Sequence, residues 1–271
     1  MNYRCALTIA GSDSIGGAGV QADIKTMSAL GVYAASAITA VTVQDTAGVY
    51  DIEDLRPETV SGQIRVVMDD IRPVAVKIGM VNNAATIHAI ADALNGYDGV
   101  SVVVDPVMVS TSGCRLMQED ALQVFRSELM PLASLLTPNV PEAEILADMK
   151  ISCMDDMDTA ADRICREAGC DVLVKGGHLD GATKTDLLYH DGKRITTYTT
   201  KSVDTRNTHG TGCTLSSAIT AHLALGYGMA EAISHAKEYL YQALLAGKDV
   251  EIGRGHGPVD HFFAPKPLVK E

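Results

Sequence analysis

Short runs of β-branched and aliphatic residues alternate with segments of helical period from one end of this chain to the other. Parallel strands need a long return path, and a helix packed on the sheet supplies it, so repeated β-then-α alternation predicts a largely parallel sheet covered on both faces. Residues 4–10 read as a first strand, then a Gly-rich turn and a helix over about 20–30. Further strands are expected at 35–43, 74–78, 100–105, 135–137 and 171–175, with helices over 57–71, 83–95, from 141, and 155–168. The run at 100–105, Val-Ser-Val-Val-Val-Asp, is the clearest buried strand. Asp191-Gly192 separates two further strands, 186–190 and 194–198, as a hairpin turn, and two long helices follow, about 211–225 and 230–245.

The composition supports this reading. Aromatics are 4% of 271 residues, tryptophan is absent and hydrophobic residues make up 46%, so the core is aliphatic, as suits parallel strands. No repeat or linker divides the chain, and residues 1–271 are expected to form one α/β domain. A net charge of −12 without a basic patch disfavours duplex nucleic acid and anionic membrane as partners. A phosphorylated small molecule stays possible, since backbone N–H groups and one or two lysines can hold it. No apolar run reaches transmembrane length, and the N-terminus leads into a strand rather than a signal peptide. The six cysteines (5, 114, 153, 165, 170 and 213) contain no Cys-x-x-Cys pair with zinc-site spacing, and in a chain this long without a secretion signal reduced thiols in the cytosol are expected over disulfides.

In such sheets ligands bind at the C-terminal ends of the strands, where the unusual chemistry of this chain falls. The strongest segment is Asn207-Thr208-His209-Gly210-Thr211-Gly212-Cys213-Thr214-Leu215-Ser216-Ser217. Its glycines permit close approach, and the N–H groups opening the helix form an anion cradle. The same helix end is expected to favour thiolate over thiol at Cys213, so one segment offers a phosphate site and a proton acceptor. A buried structural cysteine is its plainer reading.

Four glycines lie within Gly11-Ser12-Asp13-Ser14-Ile15-Gly16-Gly17-Ala18-Gly19, which reads equally as a ligand approach or a tight turn. It is not a Walker A loop. Asp105 ends a strand and could hold Mg²⁺, act as acid or base, or cap a turn. Asn139 and Glu142 have capping-box spacing, though with Asp105 nearby a shared Mg²⁺–phosphate site is credible. Lys175, before Gly176-Gly177-His178, could reach a nucleotide phosphate. Lys237, within a helix, reads by itself as a surface charge, and Met80 as core.

Taken together and in order, these motifs resemble the ribokinase superfamily, and within it the hydroxymethylpyrimidine/phosphomethylpyrimidine kinase family of thiamine biosynthesis. The landmarks are the Gly-rich run through Val20-Gln21-Ala22-Asp23, then Lys77-Ile78-Gly79-Met80, Thr137-Pro138-Asn139 with Pro141-Glu142-Ala143, Lys175-Gly176-Gly177-His178, and the segment around Cys213. Most ribokinase-like enzymes carry aspartate at that last position. The cysteine is typical of the pyrimidine kinase branch and also occurs in thiazole kinase and some pyridoxal kinases.

The resemblance implies a ribokinase-like three-layer α/β/α sandwich with a mainly parallel central sheet. It implies a cytoplasmic homodimer that uses ATP and Mg²⁺ to phosphorylate 4-amino-5-hydroxymethyl-2-methylpyrimidine and then its monophosphate. Gly11, Ala18, Asp23, Gln44, Met80 and Val107 match the pyrimidine pocket. Gly210, Gly212 and Cys213, with Lys175, match the phosphoryl-transfer site; Asp105 and Glu142 match the Mg²⁺-associated carboxylates; Asn139, His209, Thr211 and Lys237 match the nucleotide side. Ile15, Asp45 and Cys114 depart from the family pattern. Pyridoxal kinase on the same fold is the alternative, and a non-catalytic sensor of a thiamine precursor or nucleotide is the rival of a different class.

Overall fold

The computed structural model describes residues 1–108, 116–118, 120–178 and 183–270. Cys114 lies outside them. Nine strands form a single sheet in the order β3-β2-β1-β4-β5-β6-β7-β8-β9. They are β1 (Cys5–Asp13), β2 (Tyr33–Gln44), β3 (Val49–Asp54), β4 (Ala75–Ile78), β5 (Ser101–Val104), β6 (Leu135–Leu136), β7 (Asp171–Lys175), β8 (Thr183–His190) and β9 (Lys193–Lys201). The six strands from β2 to β7 are mutually parallel, and β3, β8 and β9 add antiparallel edges.

The helices are α1 (Gly19–Ala29), α2 (Pro57–Asp70), α3 (Ala84–Leu94), α4 (Ala121–Val124), α5 (Val140–Ala147), α6 (Met154–Ala168), α7 (Thr211–Ala224) and α8 (Met229–Gly247). Strand side chains alternate between the faces. Leu7, Ile9, Val76, Ile78, Val102, Val104, Val172 and Val174 pack with α2, α3, α5 and α6. Ala6, Ala75, Val103 and Leu173 pack with α1, α7 and α8. The ribokinase-like α/β/α sandwich is therefore observed.

Local chemistry sets the boundaries. Asn83 caps α3 by accepting the Thr86 N–H, and Asn139 with Glu142 forms a capping box on α5. Asp191 (φ 48°) and Gly192 (φ 68°) turn β8 into β9. Two stretches were not foreseen. β3 is a charged edge strand, Val-Tyr-Asp-Ile-Glu-Asp, whose weak apolar pattern suits a half-exposed edge. The segment from α4 through Leu132 coils as α, π and 3₁₀ turns in succession, which breaks the 3.6-residue period. β1 also runs beyond Ala10 to Asp13, carrying that carboxylate to the end of the sheet.

Three of the parallel strands, β4, β5 and β6, end on one rung: Ile78 pairs with Val104 and Val104 with Leu136, while β1 and β7 run on past Ile9 and Val172, their partners on that rung. The residues just beyond these rungs, including Gly79-Met80, Asp105 and Thr137, therefore meet along one edge.

Candidate active site

A cleft of about 720 Å³ opens along that edge. α7 aims its N-terminus into it. Gly210 caps the helix with φ +77°, and a Cβ there would collide with the carbonyl oxygen of Gly17. Glycine is thus required where the two glycine-rich motifs touch. A Cβ on Gly212 would stand 3.4 Å from Asp105 Oδ2 and 3.6 Å from Lys175 Nζ. The N–H groups that open α7, one carboxylate and one ammonium therefore bound a single small volume.

Asp105 accepts from Lys175 Nζ at 2.7 Å and Thr137 Oγ1 at 3.0 Å. Burial would raise its carboxyl, but Lys175 and Lys77 outweigh burial and hold it below the usual range. Glu142 accepts from the Asn139 N–H at 2.8 Å and the Met108 N–H at 3.4 Å. Burial, helped by neighbouring Asp105 and opposed by Lys175, pushes Glu142 up to about 7. Burial would lower Lys175, yet the two carboxylates keep its pKa raised. Two carboxylates thus share one ammonium. This donor set fits a divalent cation held by one or two carboxylates, water and substrate phosphates. Among the described residues no cluster of three or more His, Cys, Asp or Glu forms a closed metal cage.

Cys213 is at the same helix end, but the thiolate expectation is corrected. Burial pushes its thiol up to about 11. Lys77 and the Gly19 N–H pull it down, and Asp23 and Asp105 push it further up. A helix N-terminus alone does not guarantee a thiolate when the sulfur is desolvated among carboxylates.

Gly11, Ala18, Gln44, Met80 and Val107 also line the cleft. A Cβ on Gly11 would stand 2.6 Å from Met80 Cε, so the glycine lets Met80 lie across the floor. Asp23 is not brought to this wall. It is fully buried beneath it, paired with Lys77 Nζ at 2.8 Å and 3.1 Å and bonded by the hydroxyls of Thr8 and Ser217. Lys77 is also fully buried.

Of the residues expected beside a nucleotide, Asn139 and Thr211 line the cleft. Lys237 is a buried cation rather than a surface charge, 2.5 Å from Asp186 Oδ2, and Asp186 Oδ1 accepts the Gly176 N–H at 3.0 Å. His209 is set apart from these groups. Its Nε2 lies 2.9 Å from Asp13 Oδ2 and 3.2 Å from Gln44 Nε2, beside a residue expected at the substrate pocket rather than those expected at the nucleotide.

Asp13, Asp186 and Lys77 were missed as individual residues. Lys77 carried a readable signal, a lysine inside the apolar strand Ala-Val-Lys-Ile, which demands a buried partner. Asp186 gave none, because its partner is 51 residues away.

The sequence model of a family described as phosphomethylpyrimidine kinase matches residues 13–260. A hydroxymethylpyrimidine/phosphomethylpyrimidine kinase of Rhizobium meliloti is 52% identical over 258 residues, covering 95% of this chain and 96% of that protein. A crystal structure of a phosphomethylpyrimidine kinase from Clostridium difficile superposes with a TM-score of 0.78 at 46% identity, covering 89% of this chain and 99% of that one. A pyridoxal kinase from Staphylococcus aureus, in complex with AMP-PCP and pyridoxal, superposes with a TM-score of 0.86 at 33% identity, covering 97% and 94%.

Proposed function

The chain belongs to the phosphomethylpyrimidine kinase family, and from that premise we propose that it moves the γ-phosphoryl of ATP onto 4-amino-5-hydroxymethyl-2-methylpyrimidine and then onto the monophosphate. One observation carries the reading. The α7 N-terminus, Asp105 and Lys175 converge on Gly212, within the one cleft that Gln44, Met80, Asn139 and Lys237 also line.

The residues divide the task. The N–H groups of Gly212 and Cys213 and the Lys175 ammonium face the transferring phosphoryl and take up its charge. Gly210 keeps side-chain volume out of the contact with the first glycine loop. In the first transfer the substrate hydroxyl oxygen forms the new O–P bond as the bond to ADP breaks, and the hydroxyl proton goes to the Cys213 thiolate; in the second a phosphate oxygen of the monophosphate attacks and no hydroxyl proton has to be taken up. Because burial holds Cys213 mainly as thiol at neutral pH, base assistance is the smaller contribution and positioning the larger. Asp105 and Glu142 would hold Mg²⁺, which supplies charge neutralisation on the phosphate oxygens. Asn139, Thr211 and Lys237 would flank the nucleotide.

We also place the protein in the cytoplasm as a homodimer. Cys5, Cys153, Cys165, Cys170 and Cys213 are all unpaired, which suits a reducing compartment. No helix among the described residues is long and apolar enough to cross a membrane. Val41 and Val43 on β2 and Tyr50 on β3 are exposed, which supports a self-association face.

ADP release with Mg-ATP and, in parallel, the pyrimidine, its monophosphate and pyridoxal tests the assignment. Turnover of both pyrimidines well above pyridoxal is expected. Turnover of pyridoxal alone would move the protein to vitamin B6 salvage, the alternative that shares this fold.

A further inference from the structure

Three polar groups at the substrate end of the cleft cannot all be satisfied with the Gln44 carboxamide in one of its two orientations. Asp13 is the fixed point. Its Oδ1 accepts the Ile15 N–H at 3.1 Å, and its Oδ2 accepts the N–H groups of Gly17 at 3.0 Å and Ala18 at 2.8 Å. A carboxyl that receives three backbone donors is an ionised acceptor. Burial would raise it, but His209 and these donors outweigh burial and hold it below the usual range. The His209 Nε2, 2.9 Å from Oδ2, must then carry a hydrogen.

That hydrogen decides the neighbour. Gln44 Nε2 lies 3.2 Å from the same His209 Nε2, which sets one donor against another. A second conflict stands at the other end of the amide. Thr42 Oγ1 is 3.0 Å from the Ser12 carbonyl oxygen and 3.3 Å from Gln44 Oε1, yet a hydroxyl has a single hydrogen for these two acceptors. A half-turn of the carboxamide exchanges its oxygen and nitrogen at the same two positions, frees the Thr42 hydrogen for one acceptor, and replaces the donor–donor contact at His209 with an acceptor beside the Nε2 hydrogen. The one His209 Nε2 hydrogen is then shared between Asp13 Oδ2 at 2.9 Å and Gln44 Oε1 at 3.2 Å as a three-centre bond, Gln44 Nε2 donates to Thr42 Oγ1, and Thr42 keeps its hydrogen for Ser12.

We infer that His209, held as the Nε2–H form by Asp13, fixes the polarity of the Gln44 carboxamide and so sets which ring edge the cleft accepts. An amide has two acceptor sites and two donors. His209 and Thr42 take one of each. One acceptor and one N–H remain for the cleft, which Gln44 lines. That pair complements an amino group beside a ring nitrogen, the edge of a 4-aminopyrimidine. A ring edge without that amino group leaves the acceptor unpaired. Asp13 and His209 are thus specificity-determining through Gln44. The substrate step of this inference rests on the pyrimidine reading above; the hydrogen-bond step does not.

Two measurements separate them. Long-range ¹⁵N–¹H spectra of the full-length protein should show His209 with a protonated Nε2. A bare Nε2 would overturn the inference whatever the substrate. The second measurement is the ratio of kcat/KM for the pyrimidine over pyridoxal. In His209→Asn, whose short amide does not reach the Nε2 position, the ratio should fall on the order of tenfold, the worth of one misdirected hydrogen bond. His209→Gln places an N–H near that position and should keep the ratio. Equal ratios in the two variants and the parent would overturn the specificity role. An Nε2–H spectrum with no pyrimidine turnover in the parent would leave the amide polarity standing and overturn its link to a pyrimidine, together with the functional reading.

Discussion

Two buried lysine–aspartate pairs stand beside the first two turns of α7, built from the same chemistry and placed one layer apart. Lys77 and Asp23 are 2.8 Å apart, and neither side chain is exposed at all. Lys175 and Asp105 are 2.7 Å apart, and Lys175 retains 14% exposure toward the cleft. The inner pair is closed: Thr8 and Ser217 occupy the carboxylate of Asp23, and its charges are matched one to one. The outer pair is open: Glu142 adds a second carboxylate to the one ammonium, and the N–H groups of Gly212 and Cys213 beside them have no acceptor inside the helix. A closed pair ties elements together, here β1, β4, α1 and α7. An open pair leaves charge to be completed by a ligand. The contrast teaches that burial and ion pairing alone do not mark a catalytic group, whereas unequal charge at a surface open to a cleft does.

Neutralising the lysine of each pair should separate stability from turnover. Lys77→Met strands the Asp23 carboxylate in the interior and should cost about 3–5 kcal/mol, read as a lower denaturant midpoint. The double variant Lys77→Met with Asp23→Asn leaves no lone charge and should recover most of that loss. A single variant as stable as the parent would refute the closed pair. Lys175→Met should spare the midpoint by comparison and lower kcat by about 10²–10³, equivalent to roughly 2.7–4 kcal/mol of transition-state stabilisation. Normal turnover in this variant would remove Lys175 from the phosphoryl site.

Cys213 lies between the two pairs, one helical turn before Ser217, and feels both. Cys213→Ala should slow turnover by roughly 10- to 100-fold, at or below the lower end for general bases, because the loose transition state asks little of one. The parent kcat should rise with pH as the thiolate fraction grows toward the thiol's raised pKa, and the variant should lose that rise. Unchanged turnover, or an unchanged pH profile, would exclude Cys213 as the base. Gly212→Val should be at least as damaging, since its methyls enter the space beside Asp105 and Lys175.

Much of this contrast was legible before the fold. The alternation of β and α segments predicted the parallel sheet, and strand-end logic placed Asp105, Lys175 and Gly212 together. Asp105 followed the clearest apolar run in the chain, so its place at a strand end was readable from period alone. What escaped were partnerships across long separations. Asp23 lay in a motif expected at the pyrimidine wall, but helical phase turns it toward Lys77, 54 residues away. Lys237 looked solvated because its helix neighbours are polar, while Asp186, from a different layer, draws it inward. The state of Cys213 was misjudged for a related reason. The helix end is a local feature, whereas desolvation depends on everything packed around it.

The smallest expected effect tests the charge imbalance of the open pair directly. Glu142 has its folded pKa pushed up to about 7, above the ordinary carboxyl value of 4.5. The folded state therefore binds this proton more tightly than the unfolded chain, and the contribution is present in full below pH 4.5. It is lost as pH rises through 7, so the ligand-free protein should become less stable across that window. The full shift bounds the effect at about 3 kcal/mol; because Lys175 serves both carboxylates, the expected loss is about 1 kcal/mol. Glu142→Gln preserves the capping box on α5 while removing the charge. Denaturation midpoints at pH 5.5 and pH 8 should fall in the parent and fall less in the variant. Mg²⁺ alone at pH 8 should restore part of the parent's loss and do less for the variant, because the cation supplies the charge that Lys175 cannot give twice. Equal slopes in the two proteins would mean that Glu142 is fully paired, and the outer site would then be as closed as the inner one.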